Sequence, residues 1–348
     1  MTVSVPSSDR IMLKHGSGGR AMRRLIAETF LHGFDTDPAQ PPGLHGLDAL
    51  DDGAAIRIDD RWLILTTDSH VINPPFFPGG DIGRLAVSGT VNDLAMMGAV
   101  DVLGLTCSVV VEEGFERANL VRIVASMRDA CREANGHIVT GDTKVMGKGE
   151  IDGIVINTAG VGLTSHVVTD AGLLDGDFLI VTGTIGDHGM AVMATRHGLG
   201  LDTQLASDVA PLNGLIADVL DVGFEAISAM KDPTRGGLAG TLHEMASKSH
   251  VGIVLDEASI PVRAAVRGVS ELVGIDPLFV ANEGKAVIGV RPVFAEEVLA
   301  AVRAHPLGRD AAIIGRCTAD RPGFVVLNTG FGQRLVAEPD GELLPRIC

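Results

Sequence analysis

Along the first half of the chain, strand-like apolar runs alternate with segments whose apolar residues recur at helical spacing. Residues 61–72 (RWLILTTDSHVI) predict a strand that leads into a polar loop, and the continuous apolar run at 102–111 (VLGLTCSVVV) predicts a buried strand. Residues 82–99 and 115–136 carry apolar side chains at helical spacing, which predicts two amphipathic helices, the first of them capped by Asp81. In that helix the side chains expected to face the core are Leu85, Val91, Leu94 and Ala95.

The second half of the chain repeats the alternation of strands and helices. A polar, glycine-rich segment at 169–183 separates the halves, so we expect a domain boundary near residue 170. Periodicity ends at about Gln333. These patterns predict an α/β (α+β) fold with domains at 1–170 and 171–332, followed by a flexible tail at 333–348.

Composition narrows the classes of partner. The chain has 348 residues and 46% hydrophobic residues, enough for two domain cores. Its net charge of −16 would repel nucleic acid and anionic membranes, and a bound nucleotide would need a cation. No apolar run approaches the length of about 20 residues that spans a membrane, and the N-terminus lacks a signal-peptide pattern. We therefore expect a cytoplasmic protein that binds neither nucleic acid nor membrane.

The chain finishes on a thiol, in the sequence ELLPRIC. Its cysteines are Cys107, Cys131, Cys317 and Cys348, and their spacing forms no CxxC pair and no zinc site. The first three lie in predicted strands and helices, where they serve as small apolar residues. Because chain termini fray and the cytoplasm is reducing, Cys348 is expected to be a mobile free thiol.

A glycine-rich segment near the N-terminus, KHGSGGR at 14–20, precedes a predicted helix. Consecutive backbone amides in such a segment can converge on a phosphate group, although the spacing is neither that of a Walker A loop nor that of a Rossmann fingerprint. The alternative is a flexible entry into the helix. The candidate phosphate-binding residues are Gly16, Ser17, Gly18 and Gly19.

Acidic residues recur at the ends of predicted strands and once within a helix. Carboxylates at strand ends can converge above a sheet, and Mg²⁺ is commonly held by one or two carboxylates together with phosphate oxygens. The alternative for each residue alone is a solvated turn or a helix cap. Asp93 lies within a predicted helix, where aspartate has a low helix propensity and needs another reason to be present. The members of this pattern are Asp51, Asp52, Asp68, Asn92, Asp93, Asp142 and Asp232.

Two further motifs carry candidate catalytic groups. Residues 137–145 (HIVTGDTKV) predict a strand followed by a loop. In this segment GDTKV places Thr143 and Lys144 beside Asp142, and a lysine can stabilise the charge that develops on a transferring phosphate. An equally acceptable reading is a surface lysine in a salt bridge. In FVANEGKAV, Glu283 lies between two predicted strands, where it can act as a general base or be simply exposed.

These motifs resemble those of the HypE family of carbamoyl dehydratases, hydrogenase maturation proteins of the aminoimidazole-ribonucleotide-synthetase-like (PurM-like) superfamily. The resemblance runs through HGSGG, DDGA, TTDSHVINPPFFPGGDIG, GTVNDLAMMGA, GDTKV, DPTRGGL and NEG to the closing PRIC, so it covers nearly the whole chain. TVNDLAMMGA and DPTRGGL alone indicate only the superfamily, whereas the terminal thiol narrows the resemblance to the family. It implies a two-domain PurM-like fold whose N-terminal sheet forms a homodimer.

The resemblance also implies a reaction and partners. HypF loads a carbamoyl group onto the terminal thiol, here Cys348, and ATP then drives removal of water to give a protein thiocyanate. The cyano group passes to iron in the HypC–HypD complex, as a ligand for the [NiFe]-hydrogenase centre. The implied metal ligands for Mg²⁺ are Asp52, Asp93 and Asp232. The implied catalytic residues are Cys348, Lys144 and Glu283, and the implied nucleotide-binding residues are Gly16, Ser17, Gly18, Gly19, Asp68, Asn92, Asp142 and Thr143.

Two other functions are compatible with the same residues. The first is an ATP-dependent synthetase or kinase of the superfamily that acts on a free small molecule, in which case removal of Cys348 leaves activity unchanged. The second is a non-catalytic carrier of a group on Cys348, which has no need of the aspartate motifs or of GDTK.

Overall fold

The computed structural model describes residues 10–34, 43–199, 205–341 and Ile347. Its helices are α1 Gly19–Leu25, which continues as a wider turn at Ile26–Leu31, α2 Ile82–Met96, α3 Arg117–Glu133, α4 Asp187–Arg196, α5 Asn213–Leu220, α6 Gly237–Ser249, α7 Ala264–Val273 and α8 Ala295–Ala304. Its strands are β1 Leu44–His45, β2 Ala54–Ile58, β3 Arg61–His70, β4 Phe76–Phe77, β5 Gly80–Asp81, β6 Asp101–Glu112, β7 Ile138–Met146, β8 Ile154–Thr164, β9 Phe178–Val181, β10 Ile227–Lys231, β11 Gly252–Asp256, β12 Val287–Val290, β13 Ala312–Thr318, β14 Val325–Thr329 and β15 Gly332–Leu335.

The N-terminal sheet has the strand order β1-β2-β3-β8-β6-β7. Neighbouring strands are antiparallel except for β6 and β7, which are parallel. Helix α2 packs on β3 and β8, and α3 packs on α2. A parallel pair needs a crossover connection, and α3 supplies it between β6 and β7.

Helix α2 is the central element between the two sheets. The side chain of Asp81 accepts hydrogen bonds from the amides of Gly83 and Arg84, which confirms the predicted cap. Leu85, Val91, Leu94 and Ala95 are all fully buried, as predicted. Apolar residues surround the helix on nearly all sides because it contacts β10 and α5 of the second half as well as its own sheet.

The C-terminal sheet has the strand order β10-β12-β9-β13-β11-β14-β15. Only β11 and β14 are parallel among these neighbours. Side chains of β9 alternate between two cores, because Leu179 and Val181 pack in the cluster that contains α6, whereas Ile180 packs in the cluster that contains α5 and α8. Helices therefore cover both faces of this sheet, and the predicted α/β class is confirmed.

Three local predictions differ from the structure. Strand β6 is only half-buried, because part of its face has no covering layer in the part of the chain that the structure describes. GDTK lies within β7, not in a loop, since hydrogen bonding to β6 extends the strand through Met146. Residues 333–335, placed in the tail, belong to β15, a short edge strand whose exposed side chains leave no apolar periodicity to detect. Among the described residues no helix is long and apolar enough to cross a membrane.

Candidate active site

A cleft of about 300 Å³ lies between the two halves of the molecule. Its walls come from the segment before β2, the end of β3, one side of α2, the glycine segment with α1, the loop after β10, and α6. Carboxylates and lysines predominate among its polar groups. The cleft therefore suits an anionic ligand that binds together with a cation. The charged residues lining it are Arg23, Asp51, Asp52, Asp68, Asp93, Lys231, Asp232, Arg235, Glu244 and Lys248.

Three aspartates from separate elements meet in this cleft. Asp52 precedes β2, Asp93 lies on α2 and Asp232 follows β10, yet one carboxylate oxygen of each lies within 4.8 Å of the others. The hydroxyl of Thr66 on β3 lies 2.8 Å from Asp93 Oδ2. The contact with Thr66 and the convergence with the other two carboxylates give Asp93 the reason that its mid-helix position required.

Burial and mutual repulsion make the ionised form of this cluster costly. Burial is the main cause that raises the pKa of Asp52 and of Asp93 well above the ordinary 3.8, and the charge of Asp232 adds to both. Burial, with the nearby Asp68, raises the pKa of Asp232 to about 6. A cation placed among these carboxylates would therefore be bound strongly.

One cation of the protein itself already touches the cluster. Lys231 Nζ lies 2.5 Å from Asp52 Oδ1 and 3.2 Å from Asp170 Oδ2. Burial would lower the pKa of Lys231, but Asp52, Asp170 and Glu244 together raise it well above the ordinary 10.5, so the lysine stays charged. Lys231 and Asp170 were missed by sequence reasoning, although Lys231 stands next to Asp232 in the MKDPTRGG motif.

The three aspartates fit a hard divalent cation. Lys231 uses only Asp52 Oδ1, and Asp52 Oδ2 is buried without a hydrogen-bond partner. An unpartnered buried carboxylate oxygen needs a ligand, and Mg²⁺ prefers oxygen donors of this kind.

The glycine segment reaches the cleft with only half of its residues. Gly18 and Gly19 line the cleft with φ angles of +77° and +74°, a region that favours glycine. A Cβ on Gly18 would lie 2.9 Å from the carbonyl carbon of Arg235, so the absence of a side chain permits this close approach. Gly16 and Ser17 are not among the lining residues, and the Ser17 hydroxyl donates to Lys14 O at 2.9 Å.

Asp68 stands where β3 approaches α2. Its Oδ2 lies 3.2 Å from Nε2 of the buried His70, and a Cβ on Gly89 would be 2.8 Å from that same nitrogen. Gly89 of α2 thus makes room for the pair. Asp68 keeps a 30% exposed side chain in the cleft, where its predicted role in nucleotide binding remains a prediction.

Asn92 does not face the cleft, which corrects its predicted role. Its side-chain amide donates to Ala210 O and Glu283 O, and its oxygen accepts from the amide of Leu212. These hydrogen bonds join α2 to two loops of the second half, so the Asn92 side chain holds the two halves together. The neighbouring Asp93 projects from a different side of the helix, and the sequence alone did not show which of the two residues faces the cleft.

Asp142, Thr143 and Lys144 also stay outside the cleft of their own chain. Across the sheet, Ser69 of β3 is paired with Asn157 of β8, which is paired with Ser108 of β6, which is paired with Asp142 of β7. Asp142 therefore lies three strand spacings, or about 14 Å, from the end of β3 that lines the cleft. The Lys144 and Asp142 side chains, 66% and 60% exposed, form a surface salt bridge of 2.9 Å. Within one chain, Lys144 is therefore a surface lysine in a salt bridge, which is the alternative that the sequence had left open.

Glu283 is buried, not exposed in a loop. Burial raises its pKa well above the ordinary 4.5, and the nearby Asp232, Asp68 and Asp208 raise it further. Its Oε1 has no hydrogen-bond partner. Glu283 lies beside Asp208, whose carboxylate accepts from the Glu283 amide at 3.3 Å, and beside α2, where the Asn92 side chain donates to Glu283 O at 3.2 Å.

Residues 338–340, which follow the last strand, contact the chain at the glycine segment and the start of α1. The amide of Arg20 donates to Pro339 O at 3.0 Å, Arg20 pairs with Asp340 at 3.2 Å, and Arg23 forms an ion pair with Glu338. Further on, Ile347 is buried against α4. Cys348 lies outside the described residues.

Family comparison assigns the class of protein. Residues 50–164 match the model of the AIR synthase related protein N-terminal domain, and residues 175–328 match that of the corresponding C-terminal domain. The two sheets, with the acidic cleft between them, are thus the two PurM-like domains, as predicted.

Full-length relatives define the family more narrowly. Carbamoyl dehydratase HypE of Rhizobium leguminosarum bv. viciae is 49% identical over 346 residues, covering 98% of this chain and 96% of the relative. A solved HypE–HypF complex contains a chain with 45% identity and a TM-score of 0.83, covering 90% of this chain and 99% of that one. A HypE structure in complex with ATP has 41% identity and a TM-score of 0.79, covering 97% and 100%. The chain belongs to the HypE family of carbamoyl dehydratases.

Proposed function

We propose that this chain uses ATP to remove water from a carbamoyl group carried on its own Cys348, giving a protein thiocyanate. The observation that carries the proposal is the convergence of Asp52, Asp93 and Asp232 in one cleft, where one carboxylate oxygen of each lies within 4.8 Å of the others. The relative solved with ATP supports a nucleotide in this cleft. Attachment of the substrate to the chain makes the encounter intramolecular, which raises its effective concentration to the order of mM.

Asp52, Asp93 and Asp232 would hold Mg²⁺, and Asp52 offers a buried oxygen, Oδ2, that has no other partner. When bound, Mg²⁺ supplies neutralisation of the negative charge on the nucleotide phosphates. The backbone at Gly18 and Gly19 also lines the cleft, and a phosphate can approach it closely because no side chain intervenes. Asp68 would bind polar groups of the nucleotide.

The chemistry converts a poor leaving group into a good one. The carbamoyl oxygen on the Cys348 sulfur attacks the γ-phosphorus of ATP, the bond to the β-phosphate oxygen breaks, and one amide proton is lost. The carbon–oxygen bond to the new phosphate then breaks as the second N–H proton leaves, which gives S–C≡N, ADP and inorganic phosphate. Positioning and charge neutralisation dominate the first step.

Glu283 is the proposed proton acceptor. Burial and three neighbouring carboxylates raise its pKa well above the ordinary 4.5, and a carboxylate with a raised pKa is a stronger base than one in solvent. Its unpartnered Oε1 is available for the amide proton of the substrate.

Lys144 needs a second copy of the chain to take part. Strand β7 is the last strand of its sheet and exposes apolar side chains, with Val139 66% and Val145 71% exposed. Exposed apolar edge strands are usually covered by a partner. We propose that a homodimer forms along this edge and carries Asp142, Thr143 and Lys144 of one copy to the cleft of the other.

The relative solved as a HypE–HypF complex supports HypF as the carbamoyl donor. We further propose that the HypC–HypD complex accepts the cyano group and that the reaction runs in the cytoplasm, where Cys348 stays reduced.

Intact-protein mass spectrometry tests this function. HypF and carbamoyl phosphate are expected to add the mass of one carbamoyl group, and a chase with ATP is expected to remove the mass of one water. Loading without loss of water in the ATP chase would support the carrier function. Unchanged ATP consumption with a free substrate after deletion of Cys348 would support a small-molecule synthetase or kinase.

A further inference from the structure

Ile347, the residue bonded to Cys348, occupies a pocket that the proposed chemistry does not explain. Its side chain is 5% exposed and packs in the core cluster that contains Met190 and Val280. A Cβ on Gly189 would lie 3.2 Å from Ile347 Cδ1 and would overlap Val280, so the pocket depends on a glycine at this point of α4. A hydrophobic residue next to the chain end is thus buried in the fold, not left in solvent.

A buried histidine recognises the main chain of the same residue. His188 Nε2 lies 2.7 Å from Ile347 O, and His188 Nδ1 lies 2.8 Å from Ser207 Oγ. The Ser207 oxygen also accepts the amide of Val209 at 3.1 Å, so its own proton is free to be donated to Nδ1. A carbonyl oxygen only accepts, which requires the proton of the imidazole on Nε2. Burial lowers the pKa of His188, in agreement with this neutral form.

The surroundings restrict His188 to this orientation. The ring of Phe77 meets the imidazole edge-on with centroids 5.3 Å apart. Asp208, which affects the pKa of both His188 and Glu283, is itself paired with Lys285 at 3.2 Å. The docked main chain lies beside the segment that leads to Glu283, because the amide of Gly189, the residue after His188, donates to Ala281 O at 3.2 Å.

We propose that His188 and Ser207 are a positioning pair that docks the returning C-terminal tail by its main chain at residue 347. Ser207 fixes the tautomer, His188 donates to the carbonyl, and the pocket at Gly189 holds the apolar side chain. Because the contact is made one residue before the thiol, we expect its loss to change how readily Cys348 reacts. The purpose of docking rests on the proposed function, whereas the docking itself does not.

The test is the rate at which iodoacetamide alkylates Cys348 in the full-length protein, followed by peptide mass spectrometry. A hydrogen bond of ordinary net strength corresponds to about a two- to tenfold change in the docking equilibrium, so His188→Met is expected to raise the rate by about that factor. His188→Gln retains a donor and is expected to restore a rate near that of wild type. Thr195→Val is the matched control, because the Thr195 hydroxyl lies on the same helix and donates to Ala191 O within that helix, and it is expected to leave the rate unchanged.

Equal alkylation rates in wild type, His188→Met and Ser207→Ala would overturn the proposal. If His188→Met does not fold, Ile347→Ala tests the pocket instead and is also expected to raise the rate. In single-turnover dehydration, His188→Met is expected to lower the yield in proportion to docking and leave ATP affinity unchanged. If the variants differ from wild type in alkylation rate as expected, but loaded wild-type protein never loses water with ATP, the proposed function is contradicted and the docking proposal stands.

Discussion

The acidic cleft and the edge strand β7 carry motifs of similar composition but in opposite environments. In the cleft, Asp52, Asp93 and Asp232 converge within 4.8 Å, and burial raises the pKa of each. On β7, the Asp142 carboxylate lies in solvent, and its pKa is lowered chiefly by the hydrogen bond to Lys144. An isolated charge on a surface needs no ligand, whereas a buried cluster of like charges does.

Under the proposed function, one chain therefore supplies the carboxylates of the cation site by itself, whereas Asp142, Thr143 and Lys144 would complete the catalytic site only in a second copy. The first group is assembled by long-range packing within the chain, since its members come from both halves. The second group projects from a sheet edge that, among the described residues, has no covering strand. We expect mutations in the two regions to behave differently when copies of the chain are mixed.

The largest effect is expected from loss of a carboxylate in the cleft. Asp93→Asn removes one charge that the proposed cation needs, and we expect dehydration to fall by at least about 10²-fold, the scale for loss of an electrostatic group in phosphoryl transfer. Single-turnover phosphate release measures it. Asp60→Asn, in an exposed turn, is the control, and equal activity of the two variants would remove Asp93 from the site.

Mixing two inactive variants tests whether the edge strand serves another copy. In a homodimer whose sites combine Asp93 of one copy with Lys144 of the other, random association of Asp93→Asn and Lys144→Ala chains restores about a quarter of wild-type sites. The measurement is activity after co-refolding equal amounts. No recovery, with Lys144→Ala alone inactive, would place both residues in a single-chain site.

The cleft also predicts how stability depends on pH in the absence of divalent cations. The pKa of Asp232 is about 6 in the folded chain against an ordinary 3.8, so the folded state holds more protons between these values. The contribution of Asp232 to the free energy of unfolding should therefore fall as pH rises from about 4 to 6, by an amount on the order of 1 to 3 kcal/mol.

Thermal unfolding of wild type and Asp232→Asn with a chelator checks this dependence. The Asn variant is expected to lack this part of the pH slope, whereas Asp142→Asn on β7 is expected to keep it. Identical slopes for wild type and Asp232→Asn would contradict the electrostatic description of the cleft.

The smallest effect concerns the helix that presents Asp93. Asp81→Ala removes a side chain that accepts from two backbone amides at the start of α2, and loss of such a cap costs about 1 kcal/mol. Urea denaturation is expected to show this loss with little change in dehydration, because the cap is at the other end of the helix from Asp93. A large loss of activity at unchanged stability would mean that Asp81 acts in the site.

Local patterns predicted the elements and part of the site. The Asp81 cap and the core face of α2 follow from residues close in sequence, whereas Asp52, Asp93 and Asp232 were singled out as metal ligands by their resemblance to family motifs, and their role as metal ligands stays a prediction. Asn92 and Asp93 are adjacent, and only the packing of α2 between two domains determines which one faces the cleft. His188, Ser207 and Asp170 escaped notice because each is a single polar residue whose partner lies far along the chain.

The fate of the carbamoyl oxygen is the most direct test of the central claim. Protein loaded on Cys348 with a carbamoyl group bearing heavy oxygen would be mixed with ATP in a single turnover, and the inorganic phosphate analysed by mass spectrometry. If the oxygen attacks the γ-phosphorus, the label appears in the released phosphate in equal amount to the thiocyanate formed. Label recovered in water, with unlabelled phosphate, would contradict the mechanism.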